Sequence, residues 1–137
     1  MIKTEQQVER DFYTLVKDGV LGKAIKGGIY RADMRPDNAH TEDLVVKFLA
    51  GLDEQVQTGV VLVNIYVPDV PYLNTGRKVA NLVRIGELQA LIQELIRDNS
   101  NTEYRILADT SPSTMAVEEI EQHVITARLK FYRLSSD

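Results

Sequence analysis

Cysteine and tryptophan are absent from the 137 residues of this chain, and histidine occurs only twice. Without a thiol, the protein has no disulfide bond, no cysteine nucleophile, no iron–sulfur cluster and no thiolate zinc site. Two histidines leave few side chains that titrate near neutral pH. The sequence also lacks the run of about 18 apolar residues that a membrane-spanning helix needs, and it lacks an apolar signal segment. We therefore expect a protein of an aqueous compartment with no membrane partner.

Neither sign of charge is in large excess. The chain has 16 Lys and Arg against 20 Asp and Glu, a net charge of −4, and residues 1–68 and 69–137 each carry 8 basic and 10 acidic residues. Proteins that bind phosphate backbones without sequence preference usually carry a basic arm or patch, so nucleic acid is not an expected partner. The length and the 44% hydrophobic content predict a single folded domain over residues 1–137.

Hydrophobic spacing predicts two helices and several strands. Thr4 and Gln7 form a capping-box pattern that begins a helix over about residues 4–17. A long amphipathic helix is predicted over about residues 80–98. Alternating or β-branched segments predict strands at residues 29–30, 44–51, 60–67, 104–109 and 124–134.

The arrangement of these elements predicts the fold class. The strand at residues 60–67 is a nearly unbroken run of Val, Leu, Ile and Tyr, which is typical of a strand buried on both faces. In the last strand, alternation places Leu129 and Phe131 toward the core and Arg128 and Lys130 toward solvent. Strands in hairpins, with helices that do not alternate with them one for one, predict an α+β fold. We expect an antiparallel or mixed β-sheet of about four to five strands, with the N-terminal helix and the long amphipathic helix packed on one face.

Motifs for catalysis or metal binding are incomplete. His40 precedes Thr-Glu-Asp, which could serve a metal site or a general base, but no second ligand pair has a recognised spacing, and a solvated start of a strand explains the same residues. Glu119 and His123 are four residues apart in a segment expected to become a strand, where their side chains diverge. Ser111 and Ser113 lie in a turn without a G-x-S-x-G elbow, and no glycine-rich phosphate loop is present. We therefore predict no catalytic residue, no metal, no cofactor and no enzyme activity.

A basic and aromatic group near the end of the chain has two interpretations. Arg128, Lys130 and Arg133 surround Tyr132 and could form a face for nucleic acid. Three glutamates lie just upstream, and cross-strand ion pairs with them explain the same residues equally well.

The segment over residues 68–78 is unusually apolar for a loop, since it contains Tyr72 and Leu73 between prolines and a glycine. Exposed apolar residues on a loop indicate a partner surface, and the alternative is that both side chains fold back onto the core. In the first case we predict a contact between subunits in which the apolar loop dominates and exposed charge pairs add little. The predicted interface residues are Tyr72, Leu73, Arg77 and Lys78, facing Asp33 or Asp37 of the next subunit.

The order of the elements carries a family resemblance. A capped N-terminal helix is followed by residues 28–30, by a strand pair at residues 42–46 and 61–67, by a helix at residues 88–95 and by a closing strand at residues 123–131. This layout, over nearly the whole chain, resembles the tail terminator, or tail completion, proteins of long-tailed bacteriophages and related prophage elements. The resemblance implies a small α+β structural subunit without enzyme activity. Such subunits form a ring, commonly of six, that caps the completed tail tube and gives the head connector a docking surface.

The resemblance also implies partners and a location. The partners would be further copies of the chain, the tail tube protein and the head–tail connector, and a free subunit could stay monomeric until it meets the tube. The protein would lie in the host cytoplasm before assembly and in the virion tail afterwards.

The residues alone leave two other classes open. The first is an interaction module of the immunity or adaptor type, monomeric or dimeric and without an active site. The second is a small hydrolase or ligand-binding enzyme built around His40 or His123, which a deep apolar cavity with either histidine in its wall would favour.

Overall fold

Three helices, one 3₁₀ turn and eight strands are present in the computed structural model, which describes residues 1–98 and 103–134. The helices are α1 (Glu5–Asp18), α2 (Val20–Ala24) and α3 (Leu82–Arg97), and the 3₁₀ turn is Glu118–Ile120. The strands are β1 (Ile29–Arg31), β2 (Asp43–Leu52), β3 (Val56–Pro68), β4 (Val70–Pro71), β5 (Lys78–Val79), β6 (Tyr104–Ala108), β7 (Ser113–Val117) and β8 (Gln122–Leu134).

Six of these strands form one mixed sheet. Their order is β1-β2-β3-β8-β6, and β7 pairs with β8 further along the same edge as β6. β1 runs parallel to β2, and the other pairs are antiparallel. The predicted α+β class is therefore confirmed, whereas the predicted count of four to five strands is too low. The missed strand is β7, whose Ser-Thr-Met-Ala-Val sequence follows a turn and gains its strand conformation by pairing with β8.

The capping box at the start of α1 is confirmed. The Oγ1 of Thr4 accepts from the N–H of Gln7 at 3.2 Å, and the N–H of Thr4 donates to Oε1 of Gln7 at 2.8 Å. The sequence pattern missed α2, because Asp-Gly ahead of it is a normal end for a helix. α2 packs so closely on α1 that a Cβ at Gly22 would collide with the carbonyl oxygen of Val16. Glycine therefore permits this tight helix–helix turn.

The predicted long amphipathic helix is confirmed as α3, with ends that differ from the prediction by one or two residues. The Oδ1 of Asn81 caps its first turn by accepting from the N–H of Arg84 at 3.1 Å. Its buried stripe of Ile85, Leu88 and Ile92 faces the sheet. Among the described residues, no helix has the length and apolar character required to cross a membrane.

An aromatic cluster joins α1 to the sheet in the core. The ring of Phe12 lies 5.0 Å from that of Tyr104 and 5.6 Å from that of Phe131, measured between centroids. Tyr104 and Phe131 meet edge to face at 5.7 Å. Such tilted aromatic pairs stabilise a core beyond the area they bury. Phe12 thereby links α1, which lies against β1 and β2, to β6 and β8, against which α3 packs, so the helices cover one face of the sheet.

The prediction that the strand at residues 60–67 is buried on both faces is wrong. Within β3, Val61, Val63 and Ile65 are fully buried, whereas Leu62 and Asn64, on the other face, remain half-exposed. A continuous apolar run predicts two buried faces, but the helices form only one layer on this sheet. The predicted register of the last strand is confirmed, because the residues expected inward are fully buried and those expected outward are half-exposed.

Candidate functional site: an open sheet face and an apolar arm

The sheet face that points away from the helices is uncovered near the β2–β3 hairpin. Strand registers place alternate residues of β2, β3, β6 and β8 on it. Leu52 and Leu134 at this end are 64% and 65% exposed. We name this surface the open face; its side chains are Lys47, Ala50, Leu52, Val56, Thr58, Val60, Leu62, Arg105, Leu107, Arg128, Lys130, Tyr132 and Leu134.

The open face combines aliphatic side chains with cations. The Nε of Arg128 donates to Oδ2 of Asp109 at 2.9 Å. Lys130 lies over the ring of Tyr132, with Nζ 5.6 Å from the centroid. In the part of the chain that the structure describes, no ion pair joins Lys47, Arg105 or Lys130 to a carboxylate. The face is thus apolar with cations interspersed among the aliphatic side chains, which suits an acidic and apolar partner.

The sequence predicts that Arg128, Lys130 and Arg133 form one face with Tyr132, and this holds for Arg128 and Lys130 only. Arg133 lies on the helix-covered face, where its Nε donates to Oε2 of Glu103 at 2.7 Å and its Nη1 donates to the carbonyl oxygen of Met1 at 2.7 Å. The ion pairs of Arg128 and Arg133 are therefore made with residues other than the predicted upstream glutamates. Strand alternation separates neighbours in sequence onto opposite faces.

At its other end, the open face borders a polar hollow of about 430 Å³. The loop after β1 folds over β2 and β3 there, and the guanidinium of Arg35 lies 4.0 Å from the ring centroid of Tyr66. The same guanidinium donates to Oδ2 of Asp43 at 2.9 Å and to Oε1 of Gln122 at 3.1 Å. The hollow is lined by Ala32, Asp33, Arg35, Asp37, Val45, Lys47, Asn64 and Tyr66. It therefore brings the two predicted acidic interface residues, Asp33 and Asp37, to one concave site.

The apolar loop is a short two-stranded arm made of β4 and β5. Val70 pairs with Val79, and the N–H of Tyr72 donates to the carbonyl oxygen of Arg77 at 3.0 Å. Leu73 at the tip is 77% exposed with a φ of 52°, and Tyr72 is 41% exposed. The alternative in which these side chains fold back onto the core is therefore wrong.

The four predicted arm residues sit close together on this hairpin. The guanidinium of Arg77 stacks on Tyr72 at 4.8 Å from the ring centroid, and Nζ of Lys78 lies 3.9 Å from Oε2 of Glu121. Among the described residues, no ion pair joins Arg77 or Lys78 to Asp33 or Asp37 within one chain. The predicted pairing between subunits stays a prediction.

A second exposed apolar surface follows the arm along the chain. Leu82 and Val83 begin α3 and are 75% and 77% exposed. The same outward side of the helix continues through exposed Gly86, Glu87 and Ala90. We name these five residues the outer α3 face. Sequence periodicity does not single out this face, because Leu82 and Val83 continue the apolar pattern of the predicted helix.

A buried ion pair fixes α3 to the start of β2. Nε and Nη2 of Arg84 donate to Oε1 and Oε2 of Glu42 at 2.7 and 2.9 Å, and Nη2 also donates to the carbonyl oxygen of Ala24 at 2.6 Å. Burial alone would raise the pKa of Glu42, but the hydrogen bonds from Arg84 and from the N–H of Lys26, with the charge of Arg84, lower the pKa. The expectation of a solvated carboxylate at this position is wrong, because the guanidinium replaces the solvent.

The neighbouring Asp43 is also buried rather than solvated. Its carboxylate accepts from the N–H of Gly28 at 2.7 Å, from Oγ1 of Thr41 at 2.7 Å and from Nε of Arg35 at 2.9 Å. Burial would raise the pKa of Asp43, but these hydrogen bonds outweigh it and lower the pKa. Asp43 thus ties β1 and the loop over the open face to β2.

The lowered pKa values of these carboxylates predict that the folded protein loses stability in acid. The pKa of Asp11 and of Glu103 is also lowered, since hydrogen bonds from Lys3 outweigh partial burial. Because each group has a lower pKa in the folded than in the unfolded chain, its stabilisation is complete above the unfolded value and is lost as the pH falls through the folded value. We expect the free energy of unfolding to be flat down to about pH 5 and to fall below about pH 4.5. Urea melts across this range test it, and stability that rises on acidification would contradict it.

The two histidines differ in their surroundings. His40 is exposed in the loop over the open face. His123 is largely buried, and its Nδ1 lies 2.6 Å from Oδ1 of Asp69 at the base of the arm. No sequence signal predicts this contact across 54 positions, because the register of β3 with β8 creates it. A hollow of about 260 Å³ nearby is lined by Asp69 but not by His123.

We expect His123→Ala to lower the free energy of unfolding by about 1–3 kcal/mol, because it leaves the largely buried carboxylate of Asp69 without its ring partner. His40→Ala should change it by less than about 0.5 kcal/mol, as is usual for an exposed residue. Urea melts of both variants measure the difference. Equal losses of stability in the two variants would contradict the structural role of His123. The double variant, His40→Ala with His123→Ala, tests the prediction of no enzyme activity. If it loses a turnover or a bound metal that the wild type has, that prediction is contradicted.

Within residues 1–98 and 103–134, no group of three or more His, Asp and Glu side chains is arranged to hold a metal ion. No protein-family model matches this chain, and no curated protein matches it by sequence.

Proposed function

We propose that this chain is a structural subunit of a bacteriophage or prophage tail, a tail terminator or completion protein. It assembles into a ring, caps the tail tube and offers the head connector a docking surface. The observation that carries the proposal is the presence of two unlike exposed apolar surfaces. The open face lies on one side of the molecule, and the outer α3 face with the arm tip lies elsewhere.

Unlike surfaces favour head-to-tail association. A two-fold dimer buries the same patch on both subunits, whereas a ring brings two different patches together at each contact. Exposed apolar groups on a small protein indicate contact with other proteins. The resemblance of the element order to that of tail terminators supports the same role. In a head-to-tail ring, each subunit uses one of its two exposed surfaces for each neighbour.

The proposal is tested by the mass of the assembled protein. Light scattering over a range of protein concentrations, alone and after addition of purified tail tubes, should show a closed oligomer in at least one condition. Electron microscopy should then show that oligomer at one end of each tube. A protein that stays monomeric and leaves the tubes bare would contradict the proposal. A one-to-one complex with a single unrelated protein would favour the immunity or adaptor class.

Limited trypsin digestion tests the arm directly. We expect rapid cleavage after Arg77 and Lys78 in the free protein, since both lie in an exposed hairpin, and slow cleavage once tubes are present. Leu73→Asp keeps the cleavage sites but removes the apolar contact at the tip, so this variant should lose the protection. Equal cleavage of the wild type with and without tubes would remove the arm from the interface.

A further inference from the structure

The open face and the outer α3 face lie on opposite sides of the molecule. α3 packs on the sheet through its buried stripe, so its outward side points away from the sheet. The open face is the side of the same sheet that the helices do not cover. A second copy placed with its helix layer against the first copy's sheet would therefore bring these two surfaces into contact.

The charges of the two surfaces are complementary. The open face carries Lys47, Arg105 and Lys130 without ion-pair partners within the described chain. The outward side of α3 carries Glu87 and Glu94; its outward cation, Arg97, lies 4.0 Å from Glu94, whereas Glu87 has no ion-pair partner among the described residues. Arg84, the other cation of α3, turns inward onto Glu42. Opposed charge of this kind steers association and fixes the orientation of the partners.

The apolar groups match as well. Leu82 and Val83 project from the first turn of α3. Gly86 and Ala90 have no side chain or only a methyl group, so another surface can approach the backbone of the next turns closely. The open face offers Leu62 and the exposed Leu107 to such a helix. A helix laid on the uncovered side of a sheet buries both apolar faces, as in two-layer domains.

We propose that the outer α3 face of one copy of this chain docks on the open face of the next copy. The inference rests on the proposed assembly function and names the two surfaces that meet. Each copy then uses one surface as donor and the other as acceptor, so the contact is heterologous and closes into a ring when successive rotations add to a full turn. The cations of the open face then meet Glu87 of the outer α3 face and Glu94, two turns further along the helix.

A nucleic acid is the other anionic partner for a basic face. Platforms for single-stranded nucleic acid stack bases on several aromatic rings. Tyr132 is the one ring among the side chains named for the open face, and Lys130 already covers it; Tyr66, the next ring on this side of the sheet, is covered by Arg35. The composition therefore favours a protein surface.

Cysteine cross-linking tests the contact, because the natural chain has no cysteine to interfere. Val83→Cys and Leu107→Cys are each made singly, and the two proteins are mixed and treated with a short bismaleimide. A cross-linked dimer is expected only from the mixture. The chain that carries both cysteines should give a ladder of covalent oligomers. Glu119→Cys, an exposed position in the 3₁₀ turn, replaces Val83→Cys in the control mixture and should give little dimer.

A charge exchange gives an independent test. Glu87→Lys and Lys130→Glu should each weaken self-association about tenfold, since like charges then face each other. The double variant should recover most of the loss. Glu119→Lys makes the same charge change outside the proposed contact and should leave self-association unchanged. Circular dichroism and urea melts of the diluted variants show that each one folds.

The outcomes separate this inference from the proposed function. Cross-linking and charge rescue as described support the docking. An oligomer of normal mass with cross-linking at control level overturns the docking and leaves the assembly function standing. A monomer in every condition, tubes included, overturns both. Binding of a single-stranded oligonucleotide that Lys130→Glu abolishes, without a change in oligomer mass, would assign the open face to nucleic acid and overturn the inference.

Discussion

Replacement of Arg84 by leucine is expected to destabilise the protein by about 3–5 kcal/mol at neutral pH. The change leaves the buried carboxylate of Glu42 without its bidentate partner and the carbonyl oxygen of Ala24 without a donor. An uncompensated buried charge is among the costliest single defects in a folded chain. The loss should shrink in acid, where Glu42 takes up a proton and no longer needs a cation. Urea melts at neutral and acidic pH measure both effects.

Arg97→Leu is the matched control for this prediction. Arg97 lies at the other end of the same helix, its side chain is 67% exposed, and its ion pairs with Glu94 and Asp98 are solvated. We expect little or no loss of stability, since ion pairs between exposed side chains contribute little. The double variant Arg84→Leu with Glu42→Leu should recover part of the loss, since it removes the unpaired charge. A small loss for Arg84→Leu alone would show that Glu42 is hydrated, contrary to its burial.

Leu129→Ala is expected to lower the free energy of unfolding by about 2–5 kcal/mol. Leu129 is fully buried in the middle of β8, between Val61 on one neighbouring strand and Ala108 on the other. The substitution removes apolar contacts and leaves a cavity that the surrounding sheet cannot fill by small shifts. Chemical denaturation of the monomer, at a concentration below that of self-association, measures the loss.

Arg128→Ala, one residue away, provides the control. Arg128 lies on the open face and is paired with Asp109 at the surface, so we expect a loss of about 0.5 kcal/mol and at most about 1 kcal/mol. The two substituted side chains lie on opposite faces of β8. A larger loss for Arg128→Ala than for Leu129→Ala would contradict the register of this strand.

Local pattern was enough for the elements that carry a clear periodicity. The capping box at Thr4, the amphipathic stripe of α3 and the alternation in β8 each depend on contacts within a few residues or on one buried face. Each therefore follows from the sequence without knowledge of the fold. The exclusion of thiol chemistry followed from composition alone.

Other features depended on pairing between distant parts of the chain. β7 is a strand because β8 offers it an edge, and the uncovered side of β3 exists because the helices form one layer. The exposed tip of the arm at Leu73 could be read from sequence in either of two ways, and tertiary packing chose between them. In each case the sequence pattern indicates how apolar a segment is. Which of its faces is buried depends on whether another strand or helix packs against that face.

The candidate surfaces divide in the same way. The sequence by itself indicated the apolar arm and the acidic residues Asp33 and Asp37 as interface candidates, because apolar side chains within a loop and turn-forming residues can be recognised from sequence. Only the tertiary structure paired Arg133 with Glu103, paired Arg84 with Glu42 and left Leu82 exposed. The reason is physical. An ion pair forms only where two elements come together, and a face stays exposed only where no element packs on it. The spacing of residues along the chain does not give these distances between elements.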